Sequence, residues 1–137
     1  MILVDTSAWV EYDRATGSSA DLRLTALIAQ TAEVAVTEPV IMEVASGARS
    51  VQREWHLRRL LSRFRLLPFD SIVDFDQAVR VYRSCRASAV TPGGLVDCMI
   101  AAVAMRNGAS ILAHDRDFAR VAHVMGIGLE SGSLLDS

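Results

Sequence analysis

Short apolar runs alternate with longer segments of helical periodicity along this chain. The runs that predict strands lie at residues 2–5, 33–36, 65–69 and 110–113, with a further short candidate at 127–129. The segments that predict helices begin near residue 8 and continue at residues 21–30, 37–47, 51–62, 71–88, 95–107 and 117–125. The first apolar run has no polar alternation, which is typical of a strand covered on both faces.

This alternation predicts an α/β fold, with a short-stranded parallel sheet flanked by helices in three α/β/α layers. The chain of 137 residues shows no internal repeat, linker or low-complexity segment, and residues 1–137 are expected to form one domain. In sheets of this kind, functional groups collect where the parallel strands end. The chemistry of the chain is therefore expected at that edge.

Four carboxylates lie inside or at the end of apolar runs: Asp5, Glu43, Asp97 and Asp115. A buried carboxylate without a partner costs several kcal/mol, so it usually neutralises, pairs or binds a metal. Asp5 and Asp115 follow predicted strands, while Glu43 and Asp97 lie in helices expected near the same edge. We therefore expect one acidic pocket, and a set of oxygen ligands suits a hard cation such as Mg²⁺ or Mn²⁺.

The net charge of the chain is only −2, but its composition excludes several classes of function. All 14 basic residues are Arg, and the absence of Lys excludes a P-loop, which requires a G-K-S/T sequence. No G-x-G-x-x-G follows a predicted strand, so dinucleotide binding is unsupported. The two cysteines, Cys85 and Cys98, are not spaced for a zinc site or a disulfide framework.

The chain shows no feature of a targeting or membrane segment. Met1 already belongs to the first apolar run, which leaves no room for a basic leader before it. Charge-free runs such as residues 98–105 fall far short of the ~20 apolar residues that span a bilayer. These observations predict a soluble, cytoplasmic protein.

Six of the arginines fall between residues 49 and 65. Arg49, Arg53, Arg58 and Arg59 are candidates for contacts to an RNA backbone, because guanidinium groups match phosphate oxygens. The alternative interpretations are a solvated helix face and a patch that receives an acidic partner.

The positions of the acids give the chain a resemblance to a known family. An apolar strand ends in Asp and hydroxyl residues, ILVDTS at 2–7, and an apolar run leads into Glu, VIME at 40–43. A third acid opens a helix rich in small residues, DCMIAA at 97–102, and a fourth lies in the turn DRDF at 115–118. In this order, these motifs resemble the PIN-domain nucleases and, among them, the VapC-type toxins of bacterial toxin–antitoxin pairs.

The resemblance implies a PIN-like fold and a metal-dependent endoribonuclease that leaves 5′-phosphate and 3′-hydroxyl ends. By this resemblance, Asp5 and Asp97 would bind Mg²⁺ or Mn²⁺ directly. Glu43 and Asp115 would act on the metal directly or through water, and Glu43 is the candidate to orient a metal-bound water or to serve as base.

Neighbouring polar side chains are expected to support these acids. The hydroxyls of Thr6 and Ser7 would contact the metal's surroundings or a phosphate, and either one is also able to cap the helix that follows. Asp115 and Asp117 are two residues apart, so a turn can direct either one towards the metal. Asp115 is favoured because it directly follows a predicted strand, and Asp117 would then cap the helix that begins near Phe118.

The resemblance also implies partners, namely an RNA substrate, a cognate antitoxin and a second copy of the chain. An apolar groove expected between Trp9, Val10 and the helix at residues 55–61 is the candidate antitoxin surface. An alternative function remains open at this point: a catalytically weak PIN-like module that acts by binding an antitoxin or RNA.

Overall fold

The computed structural model describes residues 1–135, which form a four-stranded parallel sheet and seven helices. The strands are β1 Ile2–Val4, β2 Val34–Val36, β3 Arg65–Leu66 and β4 Ser110–Leu112. The helices are α1 Thr6–Arg14, α2 Ser19–Ala29, α3 Glu38–Ser46, α4 Val51–Leu61, α5 Val73–Ala87, α6 Leu95–Asn107 and α7 Arg116–Met125. The predicted α/β fold with a parallel sheet is confirmed.

The strand order is β3-β2-β1-β4, so β1 occupies the middle of the sheet between β2 and β4. Its residues Leu3 and Val4 are fully buried, as the absence of polar alternation predicted. Helix α1 packs against α2 and α3, and α3 also contacts α4 and α6, while α5, α6 and α7 contact one another. The edge strand β3 is only two residues long and exposed, and the candidate strand at 127–129 is reduced to one bridge between Leu129 and Ile111.

Two helix starts differ from the prediction. Helix α1 begins at Thr6, because the Asp5 carboxylate accepts the Ser7 N–H at 3.1 Å; the prediction that Thr6 or Ser7 caps this helix is therefore wrong. Helix α7 begins at Arg116 with Asp115 as its N-cap, so the prediction that Asp117 is the cap is also wrong. In both cases the carboxylate nearest the strand end reaches the free N–H groups first.

Two predicted surfaces also change. Trp55, in the helix segment assigned to the docking groove, is 56% exposed, whereas Leu57 and Leu61 are buried. Trp9, assigned to a docking groove, is 1% exposed and belongs to the core. Within residues 1–135, no helix combines the length and apolar character needed to cross a bilayer.

Candidate active site

The fold brings the four predicted acids to one edge of the sheet. Asp5 directly follows β1, and Asp115 lies three residues beyond the end of β4, which pairs with β1 through Val4 and Leu112. Glu43 lies in α3, and Asp97 lies in the first turn of α6. The negative charges of Asp5, Asp115 and Glu43 all raise the pKa of Asp97, so the four groups are electrostatic neighbours.

Asp5 is a buried carboxylate with one satisfied oxygen and one free oxygen. Its Oδ2 accepts hydrogen bonds from the Ser7 N–H at 3.1 Å and from the Ser7 hydroxyl at 2.5 Å. Its Oδ1 is buried and has no hydrogen-bond partner among residues 1–135. Burial raises the pKa of Asp5 to about 6, although both bonds from Ser7 lower it. Asp5 therefore caps a helix and also carries a buried oxygen that has no hydrogen-bond partner among the described residues.

The pKa of Asp97 is raised more than that of Asp5. The pKa of Asp97 is raised to about 7, mainly by burial and further, in decreasing order, by the charges of Asp5, Asp115, Glu43 and Asp117. A carboxyl group with a pKa near neutrality is held back from ionising by its surroundings. A cation placed among these groups reverses both effects, because it compensates burial and screens the like charges.

The hydroxyl groups of Thr6 and Ser7 donate hydrogen bonds to two of the acids. The Thr6 hydroxyl donates to Glu43 Oε1 at 2.7 Å, which joins α1 to α3. The Ser7 hydroxyl, besides donating to Asp5, accepts the backbone N–H of His114 at 2.8 Å and so joins the ends of β1 and β4. The His114 Nε2 lies 3.5 Å from a Glu11 carboxylate oxygen.

Asp115 and Asp117 both belong to this edge. Asp115 Oδ1 accepts the Asp117 N–H at 2.9 Å, and Asp117 Oδ1 lies 3.1 Å from an Arg120 guanidinium nitrogen. A Cβ built on Gly93 would lie 3.1 Å from Asp97 Oδ2 and 3.5 Å from Asp117 Oδ2. Gly93 therefore lets the loop before α6 approach both carboxylates, a role that the sequence analysis missed.

A metal centre is not preassembled at this edge. In the described part of the chain, no group of three or more His, Cys, Asp or Glu side chains lies close enough together to hold an ion. The donor chemistry nevertheless fits a hard divalent cation, because the ligands are carboxylate oxygens and Asp5 Oδ1 is buried without a partner.

The candidate RNA-binding arginines separate into two groups on α4 and the loop before it. Arg49 and Arg53 line a groove of about 580 Å³, and Arg53 forms an ion pair with Asp13. A smaller groove of about 110 Å³ also contains Asp13 and continues to Glu43. The other two candidates, Arg58 and Arg59, line neither groove; they contact Glu54 at 2.7 Å and the ring of Trp55 at 4.9 Å, respectively.

We expect Ser7→Ala to raise the pKa of Asp5 further and to lower the free energy of unfolding by about 1–2 kcal/mol. The variant removes the hydroxyl that stabilises the charged carboxylate, and it leaves the His114 N–H without its acceptor. Carboxyl ¹³C NMR titration and denaturant unfolding measure the two effects. Ser62→Ala is the control, because that hydroxyl contacts only an exposed carbonyl. An unchanged Asp5 titration would contradict this assignment.

Comparison of the sequence with known proteins gives consistent results. Residues 2–124 match the sequence model of the PIN domain. The chain is 41% identical over 128 residues to VapC ribonuclease Mb1587 of Mycobacterium bovis, covering 93% of this chain and 96% of that protein. Ribonuclease VapC11 of Mycobacterium tuberculosis matches with the same identity and coverage.

Solved structures show the same fold at lower sequence identity. The DNA-bound VapBC structure from Salmonella typhimurium matches with a TM-score of 0.73 at 18% identity, covering 96% of this chain and 97% of that chain. VapC20 of Mycobacterium tuberculosis, described as a toxin that cleaves the sarcin-ricin loop, matches with a TM-score of 0.65 at 21% identity, covering 86% and 92%. At these identities the likeness concerns the fold.

Proposed function

The chain belongs to the PIN domain family, and from this premise we propose that it is a metal-dependent endoribonuclease, the toxin of a toxin–antitoxin pair. Its similarity to proteins named VapC ribonucleases extends over 93% of the chain. The observation that carries the proposal is the meeting of Asp5, Glu43, Asp97 and Asp115 at one sheet edge, where burial and mutual repulsion raise the pKa values of Asp5 and Asp97.

In the proposed site, Asp5 and Asp97 hold Mg²⁺ or Mn²⁺ directly, and Glu43 and Asp115 act directly or through water. A bound divalent cation lowers the pKa of a coordinated water and neutralises charge on a phosphate. Ser7 fixes the orientation of Asp5, and Thr6 fixes that of Glu43. These hydrogen bonds hold the two carboxylates in position before a cation binds.

Glu43 is the proposed base. Its Oε1 accepts the Thr6 hydroxyl at 2.7 Å, and no shared hydrogen bond ties it to the other acids within the described residues. It accepts a proton from the attacking water as the water oxygen bonds to phosphorus. The bond from phosphorus to the 3′ oxygen breaks, and that oxygen takes up a proton, so the products carry 5′-phosphate and 3′-hydroxyl ends.

The proposed partners are RNA, an antitoxin and a second copy of the chain. The adjoining grooves between α1, α3 and α4 lead from Arg49 and Arg53 to Glu43, which supports them as the path of a polyanionic strand. An antitoxin segment that occupied the same grooves would exclude RNA from the acids. Trp9 lines the smaller groove, but because it is only 1% exposed it offers little surface to an antitoxin.

The proposal is tested by incubating purified, partner-free protein with a mixed pool of structured RNAs. Cleavage that requires Mg²⁺ or Mn²⁺, stops with chelator and leaves the stated ends would support it. The alternative, a module that binds RNA or antitoxin without cutting, draws on the fact that no three ligand side chains in residues 1–135 converge. Metal and RNA binding without any cleavage would favour that alternative.

Asp115→Asn and Asp117→Asn together identify the fourth acid. Asparagine caps helices as well as aspartate, so Asp115→Asn removes a charge without removing the cap of α7. We expect Asp115→Asn to reduce cleavage roughly 10-fold or more, because even the loss of a residue that only supports a metal ligand has an effect of about this size. We expect Asp117→Asn to reduce cleavage less. Equal melting temperatures serve as the control. The reverse order of effects would assign the role to Asp117.

A further inference from the structure

Thr37 is a buried polar residue that the proposed mechanism does not use. It directly follows β2 and is 0% exposed, and its Oγ1 has no hydrogen-bond partner among residues 1–135. A buried hydroxyl of this kind has lost its hydrogen bonds to water and gained none in the protein, which opposes folding. Such groups are rare in folded proteins, and a role in a functional site is one reason for keeping them.

The local sequence explains why Thr37 does not cap the helix that follows it. Thr37 is the N-cap residue of α3, but its side chain makes no capping hydrogen bond. An N-cap hydroxyl usually accepts from the backbone N–H of the second or third helical residue. The second residue of α3 is Pro39, which has no N–H, so one of these two donors is absent. The hydroxyl therefore remains available for another partner.

The sheet register places Thr37 beside Asp5. Strands β1 and β2 are parallel, and their register aligns Leu3 with Ala35. Two residues further along, through extended backbone, the same register aligns Asp5 with Thr37. Register partners on neighbouring strands project their side chains to the same face of the sheet, at a strand spacing of about 4.8 Å. Asp5 and Thr37 are therefore neighbours on one face of the sheet, at the edge where the acids lie.

These two side chains carry complementary unused groups. Asp5 Oδ1 and Thr37 Oγ1 are both buried and both lack a partner in the described part of the chain. An ionised carboxylate only accepts hydrogen bonds, whereas a hydroxyl has one hydrogen to donate. Ser7 already holds the other oxygen of Asp5, so the carboxylate is fixed in orientation. The Thr37 side chain, which no hydrogen bond holds, is the one that is able to turn between staggered positions about its Cα–Cβ bond.

We propose that Thr37 is a positioning residue for Asp5: when Asp5 is ionised and holds a divalent cation, the Thr37 hydroxyl donates a hydrogen bond to Asp5 Oδ1. Asp5 is then held through both oxygens, by Ser7 on one and by Thr37 on the other. A carboxylate oxygen has two lone pairs, so it accepts a hydrogen bond while it binds a cation. Hydrogen bonds of this kind orient a metal ligand and strengthen metal binding. The inference rests on the proposed cation site and adds a residue to it.

The first experiment measures Mn²⁺ binding without RNA, by isothermal titration calorimetry. Thr37→Val keeps the branched shape and removes the hydroxyl, whereas Thr37→Ser keeps the hydroxyl and removes the methyl group. We expect Thr37→Val to weaken Mn²⁺ binding roughly 10-fold, the lower end of the range for residues that support a metal ligand. We expect Thr37→Ser to retain the wild-type affinity. Thr25→Val is the matched control, because the exposed Thr25 hydroxyl donates to a different carboxylate, that of Asp21 on α2.

Thermal melting of the metal-free protein separates positioning from a structural role. Valine replaces a buried hydroxyl that has no partner, so we expect Thr37→Val to melt at the wild-type temperature or above it. Thr37→Ser leaves a small void and is expected to melt below the wild type. One variant therefore loses metal affinity without losing stability, and the other loses stability without losing metal affinity. A residue that only fills the core does not produce this crossed pattern.

Three outcomes overturn the proposal. If the wild-type chain and Thr37→Val bind Mn²⁺ equally tightly, Thr37 does not act on Asp5, and the cation site and the nuclease proposal still stand. If both variants bind Mn²⁺ more weakly and both melt at a lower temperature, Thr37 is a packing residue. If the wild-type chain itself binds no Mn²⁺, the proposed cation site fails and this inference fails with it.

Discussion

Asp97→Asn is expected to reduce RNA cleavage roughly a hundredfold or more and, at the same time, to make the metal-free protein more stable. Loss of a group that only supports a metal already costs about 10–100-fold, so loss of a proposed ligand costs at least as much. The stability gain follows because the variant removes a half-buried carboxyl whose charge is opposed by burial and by four neighbouring acids. Initial cleavage rates with Mn²⁺ and thermal melting without metal measure the two effects.

The combination of the two effects distinguishes a functional acid from a structural one. A carboxylate that held the fold together would lower both activity and melting temperature when neutralised. Glu33→Gln is the control, because Glu33 precedes β2, at the opposite edge of the sheet from the candidate site, and pairs with Arg65 on the surface. Cleavage by Asp97→Asn at the wild-type rate would remove Asp97 from the mechanism.

The free energy of unfolding of the metal-free protein is expected to fall as the pH rises from about 5 to 8. The pKa values of Asp5 and Asp97 are raised from 3.8 to about 6 and about 7 in the folded chain. The folded state therefore retains protons that the unfolded state has released, and this stabilisation is lost as the pH passes through the folded pKa values. Each pKa unit corresponds to about 1.4 kcal/mol, so the loss is of the order of a few kcal/mol, reduced by the partial exposure of Asp97.

The chosen pH range separates these acids from the others. The pKa values of Glu11 and Asp70 are lowered, so their contribution is lost only in more acidic solution. Denaturant unfolding at a series of pH values measures the slope without metal, with Mn²⁺ and in Asp97→Asn. We expect Mn²⁺ to raise stability at pH near 8 more than near 5, and Asp97→Asn to flatten the slope. A flat wild-type profile without metal would show that the acids are not held in repulsion.

The sequence revealed the acids because their surroundings are incompatible with lone charges. Asp5 follows a strand without a polar residue, and Asp97 opens a helix whose following residues are apolar, so both had to be buried or partly buried. The same logic gave the parallel sheet, since an apolar run without alternation requires cover on both faces. These conclusions depend only on local sequence and on the cost of burying charge.

Local sequence failed where several groups were able to fill one role. At the start of α1, the carboxylate of Asp5 and the hydroxyls of Thr6 and Ser7 were all competent caps, and only the tertiary arrangement selected Asp5. Ser7 then became a bridge to the backbone of His114, 107 residues away in the chain. Such a contact has no local signal, because it forms only when β1 and β4 pair.

Burial of the aromatic residues was likewise decided by tertiary structure. Trp9 and Trp55 both lie on amphipathic helices, yet one is 1% and the other 56% exposed. Helical periodicity defines a face but not what the face meets. The exposed apolar residues Phe75 and Val79 of α5 are a further example, since periodicity alone does not separate an inner apolar side of a helix from an outer one.

By itself, the sequence determined the fold class and the set of acids, because hydrophobic periodicity and the cost of lone buried charge act over a few residues. The tertiary structure decided how close the acids come, which of their oxygens stays unpaired and that Gly93 lies against two of them. Those features depend on distances between segments far apart in the chain. Packing of the sheet and helices sets these distances, and no local pattern encodes them.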